Sequence, residues 1–202
     1  MKINVKDVIT VSIPDEYQKL NAMPEDPKDS VAYGKQTSSA DCFVLMFPIN
    51  SESSMPFNNE KEIIDGIHNS LADDQGLIEV KTGLTQLNNK FVYSIVKTKL
   101  NPSGVQYTLI MNIDFGIEVL NVQAYFSELG MTGQRDSAVL NKLISEGVIM
   151  PPDMSKWRKD PYDINYSKGL LMNLSESREY DNAFSNHPLS EIRKLINNII
   201  NN

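Results

Sequence analysis

The segment Gly130-Met131-Thr132-Gly133-Gln134-Arg135-Asp136 is the part of this sequence best suited to chemistry. Its glycines free the backbone, Thr132 offers a hydroxyl and Arg135 a fixed positive charge, just ahead of a predicted helix. Backbone N–H groups at a helix N-terminus can hold an anion. The same residues also describe a helix cap in which Arg135 pairs with Asp136 or with a carboxylate of the C-terminal tail, and both readings stand. The tail itself brings Trp157, Tyr162, Tyr166, Tyr180 and Phe184 together with Arg158 and Arg178. Tyr and Trp bury a ring while keeping a polar handle, which suits intramolecular packing and interfaces alike. Arg178, flanked by Glu176 and Glu179, reads as a structural ion pair rather than a ligand clamp. The candidate ligand- or partner-binding residues are therefore Thr132, Arg135, Asp136, Trp157, Arg178 and Tyr180.

Other chemistries lack their residues. A metal centre needs several convergent ligands, and the only histidines, His68 and His187, lie far apart without a partner at helical spacing. His187 precedes Pro188 and reads as a helix start. Cys42 opens the most apolar strand, where a thiol is buried and inert rather than nucleophilic. No Gly-x-Ser-x-Gly elbow, Gly-x-Gly-x-x-Gly loop or Walker string occurs. The acid pairs Asp73-Asp74 and Glu176/Glu179 read as solvated charge. We expect no catalytic residue, no metal and no cofactor.

Composition narrows the class further. A chain of 202 residues with 41% hydrophobic content can bury roughly 70% of the surface its unfolded form exposes. A single cysteine excludes an internal disulfide. No apolar run reaches the ~18–20 residues a bilayer span needs, and charge recurs from Lys2 onward before any run of signal-peptide length. A cytoplasmic location without membrane association follows as the expectation. Net charge is −7, so nucleic-acid binding would need a local basic stripe. Lys156-Trp157-Arg158-Lys159, followed by Asp160 and Asp163, is too short and reads as a solvated turn.

The elements that must position these residues follow from periodicity. Val5–Ile13 is a strand candidate, Val31–Gly34 a short one, and Cys42–Ile49 an apolar run that fits a strand buried on both faces. Ile63, Ile64, Ile67 and Leu71 form a helical stripe over residues 59–71, with Asn58 or Asn59 as cap and Gly76 as a left-handed terminator. Period-2 segments then run over Leu77–Gln86, Lys90–Leu100, Val105–Asp114 and Ile117–Phe126. Asn88-Asn89, Asn101-Pro102-Ser103-Gly104 and Phe115-Gly116 separate them, which predicts an antiparallel meander. Val139, Leu140, Leu143 and Ile144 mark a second helix ended by Gly147. Pro188 opens a third, over about 188–200, with Leu189, Ile192, Leu195, Ile196 and Ile199 on one face.

This order, with the opening phrase Val11-Ser12-Ile13-Pro14-Asp15 and the hairpins from Phe91-Val92-Tyr93-Ser94 to Phe126, resembles the PsbP-like superfamily over about residues 5–147. That superfamily includes PsbP, the DcrB group and a yeast Ran-binding nuclear transport factor. The resemblance implies an α+β fold: an antiparallel sheet of about six strands with a central meander, sandwiched between helices. It implies no particular site, because its members bind different partners. Residues 1–150 are then the PsbP-like domain, and 151–202 a C-terminal extension that packs on it. The extension and the absence of an export signal are departures from the family pattern.

The leading expectation is a non-catalytic binding protein with a protein partner, working through the sheet face or through the 128–136 loop with the aromatic tail. A special case is an acidic immunity-type protein that masks a basic toxin. The alternative is a small-anion or small-ligand protein, or an enzyme, with its site around Arg135 and the tail. A homodimer whose tail crosses between subunits is a third possibility.

Overall fold

In the computed structural model, which describes residues 1–6 and 9–201, the chain enters through an antiparallel hairpin. Its strands are β1 (Lys2–Val5) and β2 (Ile9–Ser12), with Ile3 opposite Val11. The single strand expected over Val5–Ile13 is thus only its second half, and residues 7 and 8 lie outside the described residues. The main sheet holds β3 (Gln18–Leu20), β4 (Val31–Gln36), β5 (Ala40–Ile49), β6 (Gln75–Leu84), β7 (Lys90–Lys99), β8 (Val105–Asp114) and β9 (Val119–Glu128). Its order is β3-β4-β5-β9-β8-β7-β6, antiparallel throughout. The meander is as the turn residues predict: Asn88, Gly104 and Gly116 adopt positive φ at the hairpin bends. The fold is α+β with seven sheet strands rather than about six. β3 escapes sequence reading because its residues are all exposed and carry no alternation.

The side-chain period of two decides what covers each face. One face presents Phe91, Tyr93 and Ile95 of β7, Leu109, Met111 and Ile113 of β8, and Leu120, Val122, Ala124 and Phe126 of β9, all buried. The β1–β2 hairpin and α3 (Pro188–Ile200) cover it. Leu189, Ile192, Leu195, Ile196 and Ile199 of α3 are at most 2% exposed, and each such burial stabilises the fold by about 1.5–3 kcal/mol. The last helix therefore fills the centre of the core.

On the other face, α1 (Glu60–Ser70) covers only the β6–β7 side, where Ile63 packs with Leu77, Val80 and Val92. Asn59 caps α1 by accepting a hydrogen bond from the Glu62 amide at 3.2 Å. The third cluster joins Val139 and Leu143 of α2 (Gln134–Ser145) to Ile149 and Trp157 of the tail. Gly147, at φ 72°, turns the chain out of α2 as predicted.

Gly76 is not the left-handed terminator expected. The helix ends at Leu71 in extended backbone, and Gly76 lies inside β6. Its glycine answers a different need, because the tail crosses the β6 edge there. The Leu170 amide donates to the Gln75 carbonyl at 2.7 Å, and a Cβ on Gly76 would lie 1.7 Å from the Leu170 carbonyl oxygen. Nearby, the Tyr162 hydroxyl receives the Val80 amide at 2.5 Å and donates to the Val80 carbonyl at 3.0 Å. The edge strand is thereby closed by the chain's own tail. Gly76→Ala is expected to lift this crossing, lowering stability by about 1–3 kcal/mol, the usual range for overpacking. Urea denaturation measures the loss, and faster hydrogen exchange at the Leu170 amide locates it.

Candidate functional site

Two short helical turns, Leu174–Glu176 and Arg178–Tyr180, and a run of loops bring the tail's polar groups to the end of the sheet. The guanidinium of Arg135, on the first turn of α2, is 1% exposed. Its Nε donates to the Ser175 carbonyl at 2.6 Å, Nη1 to Ser190 Oγ at 2.9 Å, and Nη2 to the Ser177 carbonyl and Asp181 Oδ1, both at 3.0 Å. The tail carboxylate that pairs with Arg135 is thus Asp181. Asp136 turns the other way, accepting from Ser175 Oγ at 2.5 Å and Asn173 Nδ2 at 3.1 Å. Neither residue caps α2; that position is held by Gly133, at φ 71°.

Arg193 of α3 donates to the Glu176 carbonyl at 2.9 Å and to Asp181 at 3.0 and 3.2 Å. Its Nε lies 3.4 Å from Glu79 Oε2 without hydrogen-bond geometry. Arg178 pairs with Glu79 of β6, not with its chain neighbours Glu176 and Glu179, and donates to the Tyr93 hydroxyl at 3.1 Å. Burial alone would raise the Glu79 carboxyl, but hydrogen bonds from Arg178 and Tyr93 and the nearby charge of Arg193 hold it below its ordinary value. Glu176, expected as solvated charge, is 1% exposed. It accepts from Lys97 Nζ at 2.7 Å, the Tyr107 hydroxyl at 2.9 Å and the Asn173 amide at 2.7 Å. Burial first, and then the Glu176 charge, push the Tyr107 hydroxyl well above its ordinary value.

Among the hollows that flank this network, two have Glu128 in their lining. The first, of about 430 Å³, has Arg135 in its wall together with Glu128, His187, Phe184, Ser39 and Gln134. His187 caps α3 by accepting the Leu189 amide at Nδ1, 3.2 Å away, and turns Nε2 toward Glu128 Oε1 at 3.5 Å. Burial raises the Glu128 carboxyl, but hydrogen bonds from His187 and from the Gly133 and Val105 amides outweigh it and hold it low. The second hollow, of about 310 Å³, lies between the ends of β7 and β8, the 128–136 loop and the tail. Its lining includes Lys97, Lys99, Thr132, Asp136, Arg158 and Glu176.

The six residues singled out from sequence are thus distributed rather than convergent. Thr132 and Asp136 line the second hollow and Arg135 the first. Trp157 is 6% exposed in the apolar cluster against α2. Tyr180 borders that cluster with Lys142 5.4 Å from its ring centroid, and Arg178 reaches β6. Sequence reading did not single out Lys97, Lys99 or Glu128, and it read Arg158 as part of a solvated turn. One signal was present: Lys97 has the same strand parity as Phe91, Tyr93 and Ile95, and so points inward with them. His68, read as partnerless, meets Asp160 at 2.9 Å and stacks on Tyr166 at 3.9 Å, contacts that join α1 to the tail. Cys42 is 2% exposed, and burial pushes its thiol up to about 12.

A third feature is an exposed part of the sheet's outer face. Beyond α1, the outer face of β5, β9 and β8 presents Phe43, Tyr125 and Ile110, the last two 36% and 39% exposed. The rings of Phe43 and Tyr125, on directly paired residues, have centroids 6.3 Å apart. Leu20 of β3, 40% exposed, extends the patch. A neighbouring hollow of about 770 Å³ has Gln18, Leu20, Gly34, Gln36, Asp41 and Phe43 in its lining.

No family model matches the chain, and no curated protein matches it by sequence. Among solved structures it is similar to the Ran-binding protein Mog1p of Saccharomyces cerevisiae, with TM-score 0.43 and 9% identity over 70% of this chain and 82% of that one. A mutant of protein Mog1 gives TM-score 0.43 and 10% identity over 70% and 83%. The likeness is one of α+β architecture and says nothing of ligand or partner. No helix among the described residues is long and apolar enough to cross a membrane.

Without Arg135, Asp181 keeps Arg193, but the Ser175 and Ser177 carbonyls lose their guanidinium donors, and a buried polar group left unsatisfied costs about 1–3 kcal/mol. Arg135→Ala is expected to fall in that range by urea denaturation, and Arg135→Lys to recover little of it, because an ammonium cannot reproduce the guanidinium fork. Stability will also follow pH through Glu79 and Glu128. Their folded values lie below the ordinary 4.5, so the unfolded chain binds their protons first. The stability they provide is complete above about 4.5 and is lost as pH falls through the folded values. Thermal melts across this range, with Glu79→Gln flattening the acid slope, check the sign.

Proposed function

We propose that this chain is a non-catalytic protein-binding domain that uses the exposed part of its outer sheet face to hold a partner with a basic surface. The observation that carries the reading is the Phe43–Tyr125 ring pair, half-buried at Phe43, together with exposed Tyr125, Ile110 and Leu20 on the sheet beyond the reach of α1. Apolar and aromatic side chains grouped on a surface mark interaction sites, and aromatic anchors carry much of the energy in such contacts. The backbone beneath Phe43, Tyr125 and Ile110 is fixed by pairing on both sides, since β5, β9 and β8 are all interior strands. Recognition would then need little ordering of the binding surface, which favours affinity.

Charge supplies the choice of partner. The chain carries −7 overall, and Asp41 is exposed beside Phe43, accepting only the neutral Gln36 side chain at 3.2 Å. On α1, Glu62 adds an acidic group on the same side of the sheet, while Asp65 there is paired with Lys61. A field of this sign steers a basic protein toward the patch and disfavours a second copy of the same acidic chain.

A photoreactive benzophenone amino acid in place of Tyr125 tests the reading in native extract. The expected product is an adduct with a separate, basic polypeptide, abolished when Phe43→Glu and Ile110→Glu are added. The same probe in place of Ile117, 87% exposed in a hairpin turn away from the patch, should not form it. An adduct between two copies of this chain, or equal capture from position 117, would overturn the proposal.

A further inference from the structure

The hollow of about 310 Å³ between β7, β8, the 128–136 loop and the tail is large enough for a small metabolite. Its charges divide into two groups. The three carboxylates in its wall are engaged by the protein itself. Glu176 receives Lys97, Tyr107 and the Asn173 amide. Asp136 receives Ser175 and Asn173, and Glu128 receives the Val105 and Gly133 amides at 3.0 Å. The cations are not all engaged. Lys97 is 2% exposed and gives one of its three donors to Glu176, leaving two ammonium hydrogens beside the hollow. Lys99 and Arg158 stand exposed in its lining. Neither forms an ion pair or a side-chain hydrogen bond among the described residues, and the Thr132 hydroxyl likewise has no partner there.

The excess capacity here is thus for donation, in the form of an Arg fork, two ammonium groups and a hydroxyl. A cation would meet carboxylates already hydrogen-bonded within the protein, and no group of three or more His, Cys, Asp or Glu side chains that could hold a metal occurs among the described residues. We infer that this hollow binds a small molecule through an oxyanion, a phosphate or carboxylate group, held by Arg158, Lys99 and Thr132, with Lys97 behind them. Arg158 suits this role because its planar fork matches either group in a bidentate pair. Lys97 and Lys99 reach the same hollow because they are two residues apart on β7 and share one face of the strand. The seven negative charges in excess over the whole chain do not oppose this, because the wall carries as many cations as carboxylates and its carboxylates are hydrogen-bonded. This inference stands apart from the sheet-face reading and uses none of its residues.

The test is a titration of the ¹⁵N-labelled full chain, first with sodium phosphate and then with sodium acetate, each against sodium chloride at matched ionic strength. Saturable shifts are expected at the amides of Lys99, Gly104, Thr132 and Arg158, with chloride producing none. A response to phosphate alone assigns a phosphate ester, and one to both anions extends the class to carboxylates. Lys99→Ala with Arg158→Ala should weaken the apparent affinity about tenfold or more, as expected for loss of charge-assisted hydrogen bonds. Both residues are exposed, so the fold should survive. Thr132→Val gives a second, uncharged variant that should also weaken binding, and Lys61→Ala on α1 a control that should not. Shifts that chloride reproduces, or that persist unchanged in the double variant and in Thr132→Val, would overturn the inference.

Discussion

Arg135 reaches from α2 into the tail, where its donors meet two backbone carbonyls, a serine hydroxyl and Asp181. A charge at 1% exposure is tolerable only if it is paired and hydrogen-bonded. That requirement holds residues 175–190 in one path, because Ser175, Ser177, Asp181 and Ser190 must converge on one plane. Asp181 also binds Arg193 of α3, so the same carboxylate ties the second helix to the last. Arg193 in turn approaches Glu79 of β6, the carboxylate that Arg178 also holds. The tail's irregular course, which has little regular secondary structure before α3, is set by these charges as much as by apolar packing.

This arrangement explains why the tail does several jobs at once. Its aromatic residues close different gaps: Trp157 fills the space beside Val139 and Leu143, Tyr162 seals the β6 edge at Val80, and Tyr166 stacks on His68. Its last helix then supplies five nearly inaccessible aliphatic side chains to the inner face of the sheet. With that face covered by α3 and the hairpin, and the β6–β7 side of the other by α1, Tyr125 and Ile110 are left exposed on the outer surface of β9 and β8. The proposed partner surface is thus a consequence of where the helices run out. The small-anion hollow has a different origin. It arises where the tail network holds the wall's carboxylates but not Lys99 or Arg158.

Much of the fold was legible in the residues themselves. Period-2 alternation with Asn and Gly at the bends is a local signal, and it placed the meander from β6 to β9. The helical stripes of α1, α2 and α3 were equally local, as was Asn59 at the first cap. Where the reading failed, the deciding contact was distant in the chain. Gly76 looked like a helix terminator because Leu170, which forbids any larger residue there, lies 94 positions away. Glu176 looked solvated because neither Lys97 nor Tyr107 is near it in sequence. β3 has no alternation to detect, since it is held only by pairing with β4.

What the sequence determined by itself was therefore the class: an antiparallel α+β domain with a strongly amphipathic last helix and Arg135 as a charge in search of a partner. Those properties depend on neighbours within one turn or one hairpin. What the tertiary structure alone decided was which charges meet. It assigned Asp181 to Arg135, Glu79 to Arg178 and Glu176 to Lys97, and it left Lys99 and Arg158 facing the same hollow. Ion pairing inside a protein depends on burial and on distances of a few ångströms between segments far apart in the chain. Neither quantity is encoded in local spacing, so the Arg135 loop could be picked out from sequence while its partner, and the hollow beside it, could not.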